Sequence, residues 1–277
     1  MPTTILGIAL GLFLMVLAII TTANQDPTAH RSVYSLYLDL SAFFIVVGGT
    51  IAATLIAHPF SHIIRGMNAF FTLFFRQEFD NLKIVEEICE FANIYAQTGI
   101  KGLEGRIKTY KDENMLNDGM KMILDGYQKD EIKKALEINV TRRYDREMID
   151  YYVFRTMGRS APAFGMVGTL IGLIFMLRSL GDSPEKMGPF IATALVATLY
   201  GLILANVIFI PMGNKIEHHA EINLRIGNLQ IQGVMYIIEK RHPIFIRDQL
   251  SHFMSPLQRK KLYAKENISQ SRSSAKA

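Results

Sequence analysis

Thr169 and Thr198 each sit inside an apolar run that holds no charged residue, at residues 161–177 and 189–211. A threonine hydroxyl is a neutral oxygen, and neutral oxygens can replace part of a hard cation's hydration shell, as carbonyls do in ion filters. At ~1.5 Å rise per residue, Thr169 lies roughly 10 Å from Pro162 and Thr198 roughly 20 Å from Pro211. Helices running in opposite directions would bring both hydroxyls to the middle of an apolar layer. The alternative is structural, with each hydroxyl bonding a carbonyl of its own helix or of a neighbour. An ion path also needs an ionisable group inside the bundle. The one candidate is Asp39, near the start of another apolar run at residues 36–57. A deep carboxylate is missing, so either transport is not the function or a partner chain supplies the acid.

Other chemistry is poorly represented. No Gly-Lys-Ser or Gly-Lys-Thr occurs, and the Gly168 to Gly172 spacing falls inside an apolar run, so no phosphate-binding loop is expected. There is no His-Glu-x-x-His. His58 and His62 are four apart, as helix-borne metal ligands would be, but Pro59 intervenes and no third ligand is evident. Interfacial packing accounts better for that pair and for His218-His219. No nucleophile has a matched base. The expectation is a protein that is not an enzyme and holds no metal or cofactor.

These residues must be positioned by helices that cross a membrane. Apolar residues make up 49% of the 277 positions and charged residues 20%, and the two classes are segregated. The apolar blocks are residues 5–20, 36–57, 161–177 and 189–211; each is long enough, or nearly so, for a ~30 Å hydrocarbon core. The first block lacks a basic residue before Arg31, which argues against a cleaved signal peptide. Of the 30 Lys and Arg residues, 16 lie between positions 58 and 159 and 11 follow Pro211. By the positive-inside rule, both termini and the central segment are cytoplasmic. The net charge of +5 therefore reflects topology, and no basic face interleaved with aromatics points to nucleic acid. The lone Cys89 excludes an intramolecular disulfide framework.

The organisation expected is an all-α membrane protein with four transmembrane helices. Residues 1–60 form one transmembrane hairpin, with a turn at Asp26-Pro27. Residues 61–160 form a helical cytoplasmic domain, and residues 161–212 a second hairpin turning at positions 181–184. Residues 213–277 form a cytoplasmic helix and a tail, disordered from Glu266 onward. In the cytoplasmic part, Val85, Cys89, Ala92 and Ala96 mark one helix that stops at Gly99. Residues 115–127 mark a second, and Asp130 is the expected cap of a third that runs on towards the membrane. A further amphipathic helix is expected over residues 216–238.

Small residues recur at four-residue spacing: Ala197, Gly201 and Ala205; Gly168 and Gly172; Gly7 and Gly11. Such seams let helix backbones approach closely, and several in one chain suggest additional partners in the membrane. Pro162 and Pro211 fall at the inner ends of the third and fourth apolar blocks. They either terminate those helices or form hinges that pass a membrane event to the cytoplasmic part.

The run Pro162-Ala-Phe-Gly-Met-Val-Gly-Thr-Leu-Ile-Gly-Leu, followed by Gly188-Pro189 and Ala197-Thr-Leu-Tyr-Gly, closely resembles the flagellar stator A subunits of the MotA and PomA type. The resemblance spans the whole chain, including Asp39-Leu40 and Val46-Val47-Gly48-Gly49. It implies a ring of A subunits in the bacterial inner membrane, thought to be five around two B subunits. Each B chain would bring one membrane helix with an essential aspartate and a wall-binding domain. Sodium or proton flow past that aspartate would turn the ring against the rotor protein FliG.

Residue by residue, Pro162 and Pro211 match the family's functionally important prolines, here assigned to torque coupling. Thr169 and Thr198 match positions lining the sodium path of PomA-type stators, whereas many proton-driven members carry Ala where Thr169 stands. Ala197 departs from the Thr common in sodium types. Asp39 matches an acidic position at the outer mouth. In the rotor-facing loop the family's basic pair is replaced by Ala96-Gln97-Thr98-Gly99; Glu104 matches an acidic rotor contact, with Lys101 or Arg106 as the base. An energiser of the TolQ or ExbB kind has three membrane helices, so the fourth block here argues against it. A membrane scaffold without transport is the remaining alternative.

Overall fold

The computed structural model describes residues 2–23, 37–75, 81–109, 115–180 and 187–260, apart from 255 and 257, and within them every regular element is a helix. The expected turns at Asp26-Pro27 and at 181–184, and the tail from Glu266, lie outside the described residues. In chain order the helices are α1 (Pro2–Ala23), α2 (Leu40–Ala57), α3 (Phe60–Phe75), α4 (Asn81–Thr109), α5 (Met115–Leu124), α6 (Lys129–Ser179), α7 (Met187–Ile238) and α8 (Pro243–Ser251). Three of them, α2, α6 and α7, contain stretches long and apolar enough to cross a membrane; α1 is apolar throughout but shorter over its described side chains.

The chain divides into two compact units. The first comprises residues 1–77 and 146–219, the second residues 78–145 and 220–277, so α6 and α7 contribute residues to both. In the first unit, large apolar side chains such as Leu6, Phe13, Ile56, Leu170, Ile174 and Leu195 are exposed, as they would be against lipid. Its buried residues are mostly small or β-branched: Ala42, Val46, Ala161, Ala194, Val196, Ala197 and Ala205.

The second unit has a conventional hydrophobic core. Val85, Ile88, Phe91 and Leu103 of α4, Leu116 and Met120 of α5, Leu136 and Val140 of α6, Leu229 and Val234 of α7, and Ile246 and Leu250 of α8 pack together. Cys89 is buried in this core. Helix ends follow local chemistry. α5 stops at Leu124 rather than 127, because Gly126 turns left-handed at φ 79° and the Tyr127 amide bonds back to the Met122 carbonyl at 3.1 Å. The expected cap at Asp130 is corrected: α6 already begins at Lys129, and Asp130 lies in its first turn. There the Glu131 carboxylate accepts from the Gln128 amide at 2.9 Å, reaching back over the helix start. The expected helix over residues 216–238 is the latter part of α7, with no break after Pro211.

Candidate functional site

The first unit's defining feature is a seam without side chains between α6 and α7. A β-carbon placed on Gly201 would stand 2.6 Å from the Ala161 carbonyl oxygen, and one on Gly172 would stand 2.7 Å from that of Phe190. A β-carbon on Gly165 would meet the Ala197 carbonyl at 3.1 Å and the Thr198 Cα at 3.2 Å. On Gly168 it would collide with the Ala197 methyl. Backbone lies directly on backbone along this stretch, which only glycine and alanine permit. At Gly49 of α2 the space of a side chain is taken instead by the Phe164 ring of α6.

Thr169 and Thr198 converge on this seam. The Thr169 hydroxyl reaches the Met166 carbonyl at 2.7 Å and the Gly165 carbonyl at 3.3 Å; the Thr198 hydroxyl, from the other helix, reaches the same Gly165 carbonyl at 3.4 Å. Three oxygens from two helices therefore cluster at Gly165. A hydroxyl has one proton to donate and keeps acceptor lone pairs, so both threonines can still face a cation while held by their helices. Sequence reasoning missed Gly165 as the meeting point. Its signal was spacing: it lies four residues before Thr169 and so shares its helix face.

A second cluster ties α2 to α7. One Asp39 oxygen caps α2, accepting from the Ser41 and Ala42 amides at 2.8 and 3.0 Å. The other accepts from the Thr193 hydroxyl of α7, which also reaches the Pro189 carbonyl at 3.1 Å. The Tyr200 hydroxyl donates to the Tyr37 carbonyl, closing the same corner. The sequence marked Asp39 but gave no means of pairing it with Thr193, 154 residues away.

Neither proline ends its helix. Pro162 lies inside the 51 residues of α6. Lacking an amide hydrogen, it leaves the Gly158 carbonyl without its usual donor. Pro211 follows a π-helical turn over Leu204–Phe209, in which the Ile210 amide reaches five residues back to the Ala205 carbonyl. This wider turn makes room for a ring in mid-helix. The prolines are also staggered: Pro162 lies beside Gly201, with 3.2 Å between its Cα and a β-carbon placed there, whereas Pro211 comes ten residues later along α7. α2 carries a similar π-helical turn over Phe44–Gly48.

Below the apolar stretches, Arg65 of α3 forms an ion pair with Asp150 of α6 at 2.7 Å. Burial raises the Asp150 carboxyl above its ordinary value, opposed by the Arg65 guanidinium. His58 meets the Thr156 hydroxyl at 2.9 Å.

In the second unit, α4 breaks at Gly99, where φ is 65° and ψ −151°. The sequence expectation of a stop there is met by a reversal of the chain. Glu90 and Arg106 are 16 residues apart, roughly 24 Å along a straight helix, yet their side chains pair at 3.0 Å. The three candidate rotor residues follow the turn. Lys101 and Glu104 are exposed, whereas Arg106 is committed to Glu90.

Residues 108–226 match the model of the MotA/TolQ/ExbB proton channel family. The uncharacterized protein YtxD of Bacillus subtilis is 33% identical over 91% of this chain and 90% of its own length. Motility protein A of Aquifex aeolicus is 32% identical over 89% of this chain and 93% of its own. Among solved structures, C. jejuni MotAB superposes with a TM-score of 0.81 at 24% identity, covering 92% of this chain and 96% of that one. The flagellar MotAB stator complex of Bacillus subtilis superposes with a TM-score of 0.76 at 25% identity, covering 90% and 97%.

Proposed function

This chain belongs to the motility protein A members of the MotA/TolQ/ExbB proton channel family, and we propose that it conducts sodium at the Gly165 oxygen cluster as the A-type stator subunit of a flagellar motor. It works with a B-type subunit in an oligomeric assembly, as in the MotAB complexes it resembles, and it is a membrane protein, not an enzyme. In this reading the chain crosses the inner membrane four times, α1 included, with both termini and the second unit on the cytoplasmic side. This reading is supported by the apolar helices and by the basic residues gathered outside them.

The observation that carries the ion path is the meeting of Thr169, Thr198 and the Gly165 carbonyl. Its three oxygens are neutral, and residues 161–177 and 189–211 hold no acid. A carboxylate on the B-type partner's membrane helix supplies the charge that makes cation entry favourable. Asp39, fixed at the start of α2 by its cap and by Thr193, draws cations to the entrance. Oxygen ligands suit a hard cation that sheds part of its water, so the assignment is sodium. Pro162 and Pro211 then act in torque coupling, each in a helix that contributes to both units. Lys101 and Glu104 provide the charged contact to the rotor protein FliG, with Arg106 holding the turn that presents them.

The test is the ion dependence of swimming in cells driven by this chain. Speed should follow external sodium and fall with the sodium-channel blocker phenamil. A speed indifferent to sodium but abolished by a protonophore would assign protons instead.

A further inference from the structure

Tyr151, Arg155, Gly158 and Arg159 of α6 and Phe209, Ile210, Gly213 and Asn214 of α7 line a half-open cavity of about 320 Å³ within the first unit. Two glycines shape the hollow: at Gly158 the missing side chain admits Ile210, and at Gly213 it leaves space. A β-carbon on Gly158 would lie 2.8 Å from the Ile210 side chain, and one on Gly213 would lie 3.5 Å from Phe154 and 3.6 Å from Tyr151. The lining carries two guanidiniums, an amide and a phenol, and no carboxylate. Arg155 stacks over the Tyr151 ring at 5.9 Å, and Arg159 forms no ion pair among the described residues. On α6 the lining begins three residues before Pro162, and on α7 it flanks Pro211, where the apolar stretches end.

We propose that this cavity binds the phosphate headgroup of an anionic phospholipid of the inner leaflet. Basic pockets between membrane helices on the cytoplasmic side are suited to such headgroups. The volume accommodates a phosphoglycerol group but no acyl chain. The chains have a bed nearby: Met166, Leu170 and Ile174 continue from Arg159 along α6 at helical spacing and are 60%, 62% and 65% exposed. The headgroup sits beside the Gly158 carbonyl that Pro162 leaves without its helical donor, so lipid binding fixes the geometry of this turn. The inference rests on the membrane placement of these helices and not on ion transport.

The test uses the full chain purified with its B-type partner and placed in nanodiscs containing phosphatidylglycerol and phosphatidylcholine. Lipids retained after detergent extraction are counted by native mass spectrometry. Two arginines, each adding roughly five-fold near an anionic surface, give phosphatidylglycerol a preference of about thirty-fold over phosphatidylcholine. R155Q with R159Q should abolish it. G213L, which fills the hollow and keeps both arginines, should do the same, and R178Q, away from the cavity, should not. Unchanged retention in R155Q/R159Q and in G213L would overturn the proposal. So would displacement of the bound lipid by millimolar inorganic phosphate, which would make the site one for free phosphate. Loss of oligomeric mass with the lipid count intact would assign the cavity to a second copy of the chain.

Discussion

If the α6–α7 seam is held by backbone contact, its glycines should behave differently according to what each one faces. Gly168 faces a methyl. Gly168→Ala would collide with the Ala197 side chain; the next contacts are Ile45 at 3.6 Å and the Ala197 Cα at 3.8 Å, both ordinary. The single substitution should therefore destabilise by roughly 1–3 kcal/mol, as overpacking does. Ala197→Gly alone should cost about 1–2 kcal/mol, from one lost methyl and the lower helix propensity of glycine. The double variant moves the methyl from one helix to the other and should return to within about 1 kcal/mol of the native chain, a coupling diagnostic of direct contact. Gly201 faces a carbonyl. Gly201→Ala must push the helices apart by roughly 0.7 Å to restore a ~3.3 Å carbon–oxygen contact, and no side-chain change can relieve it. Gly48, with nothing within 4 Å of its β-position, serves as the neutral control. Heating the detergent-purified variants and measuring the fraction that stays monodisperse gives the order: Gly48→Ala and the double variant near native, Gly168→Ala lower, Gly201→Ala lower still. If Gly168→Ala is as stable as the native chain, or Ala197→Gly fails to rescue it, the seam is not held in this way.

Gly99→Ala should destabilise the second unit by about 1–3 kcal/mol, because a side chain there must adopt a positive φ with strongly negative ψ, a region open essentially to glycine alone; faster thiol labelling of the buried Cys89 would report it, and unchanged labelling would refute it. Asp150 gives a pH signature. Its native carboxyl is raised, so its contribution to stability is complete below the ordinary value of 3.8 and is lost as pH rises through the native value. Arg65→Gln removes the opposing charge and raises it further, so the variant should lose more thermal stability at pH 8 than at pH 5; equal losses at both would exclude the mechanism.

The apolar blocks, a helix break at Gly99 and the two threonines of the oxygen cluster were legible in the sequence, because segregation of charge and a glycine ending an amphipathic stripe are local signals, whereas the Gly165 carbonyl that joins the threonines was not. Continuity through Pro162 and Pro211 was not. Locally, proline removes a donor and argues for a helix end. In an apolar surround a helix that stops must find other partners for its backbone, so continuing through a proline costs less than ending there. The pairing of Asp39 with Thr193 was equally hidden, since nothing near either residue encodes the other. Asp130 misled for a smaller reason: an aspartate in the first turn and one at the cap are both favoured there, and Glu131 reaching back to Gln128 moves the helix start earlier.

The glycine seam also bears on mechanical stiffness. Interfaces built from long side chains can creep, because rotamers rearrange while contact is kept. From Ala161 to Gly172, the close approaches of α6 to α7 at the glycines are made by carbonyls, Cα atoms and alanine methyls, none of which has a rotamer to change. Over this length the two helices resist sliding past one another. Compliance then belongs to the softer places, the π-helical turns over Phe44–Gly48 and Leu204–Phe209 and the missing hydrogen bond at Pro162. In an assembly of such chains, each copy adds one rigid strut to the working load instead of two that can slide, so strain has few places to dissipate before it reaches the joints.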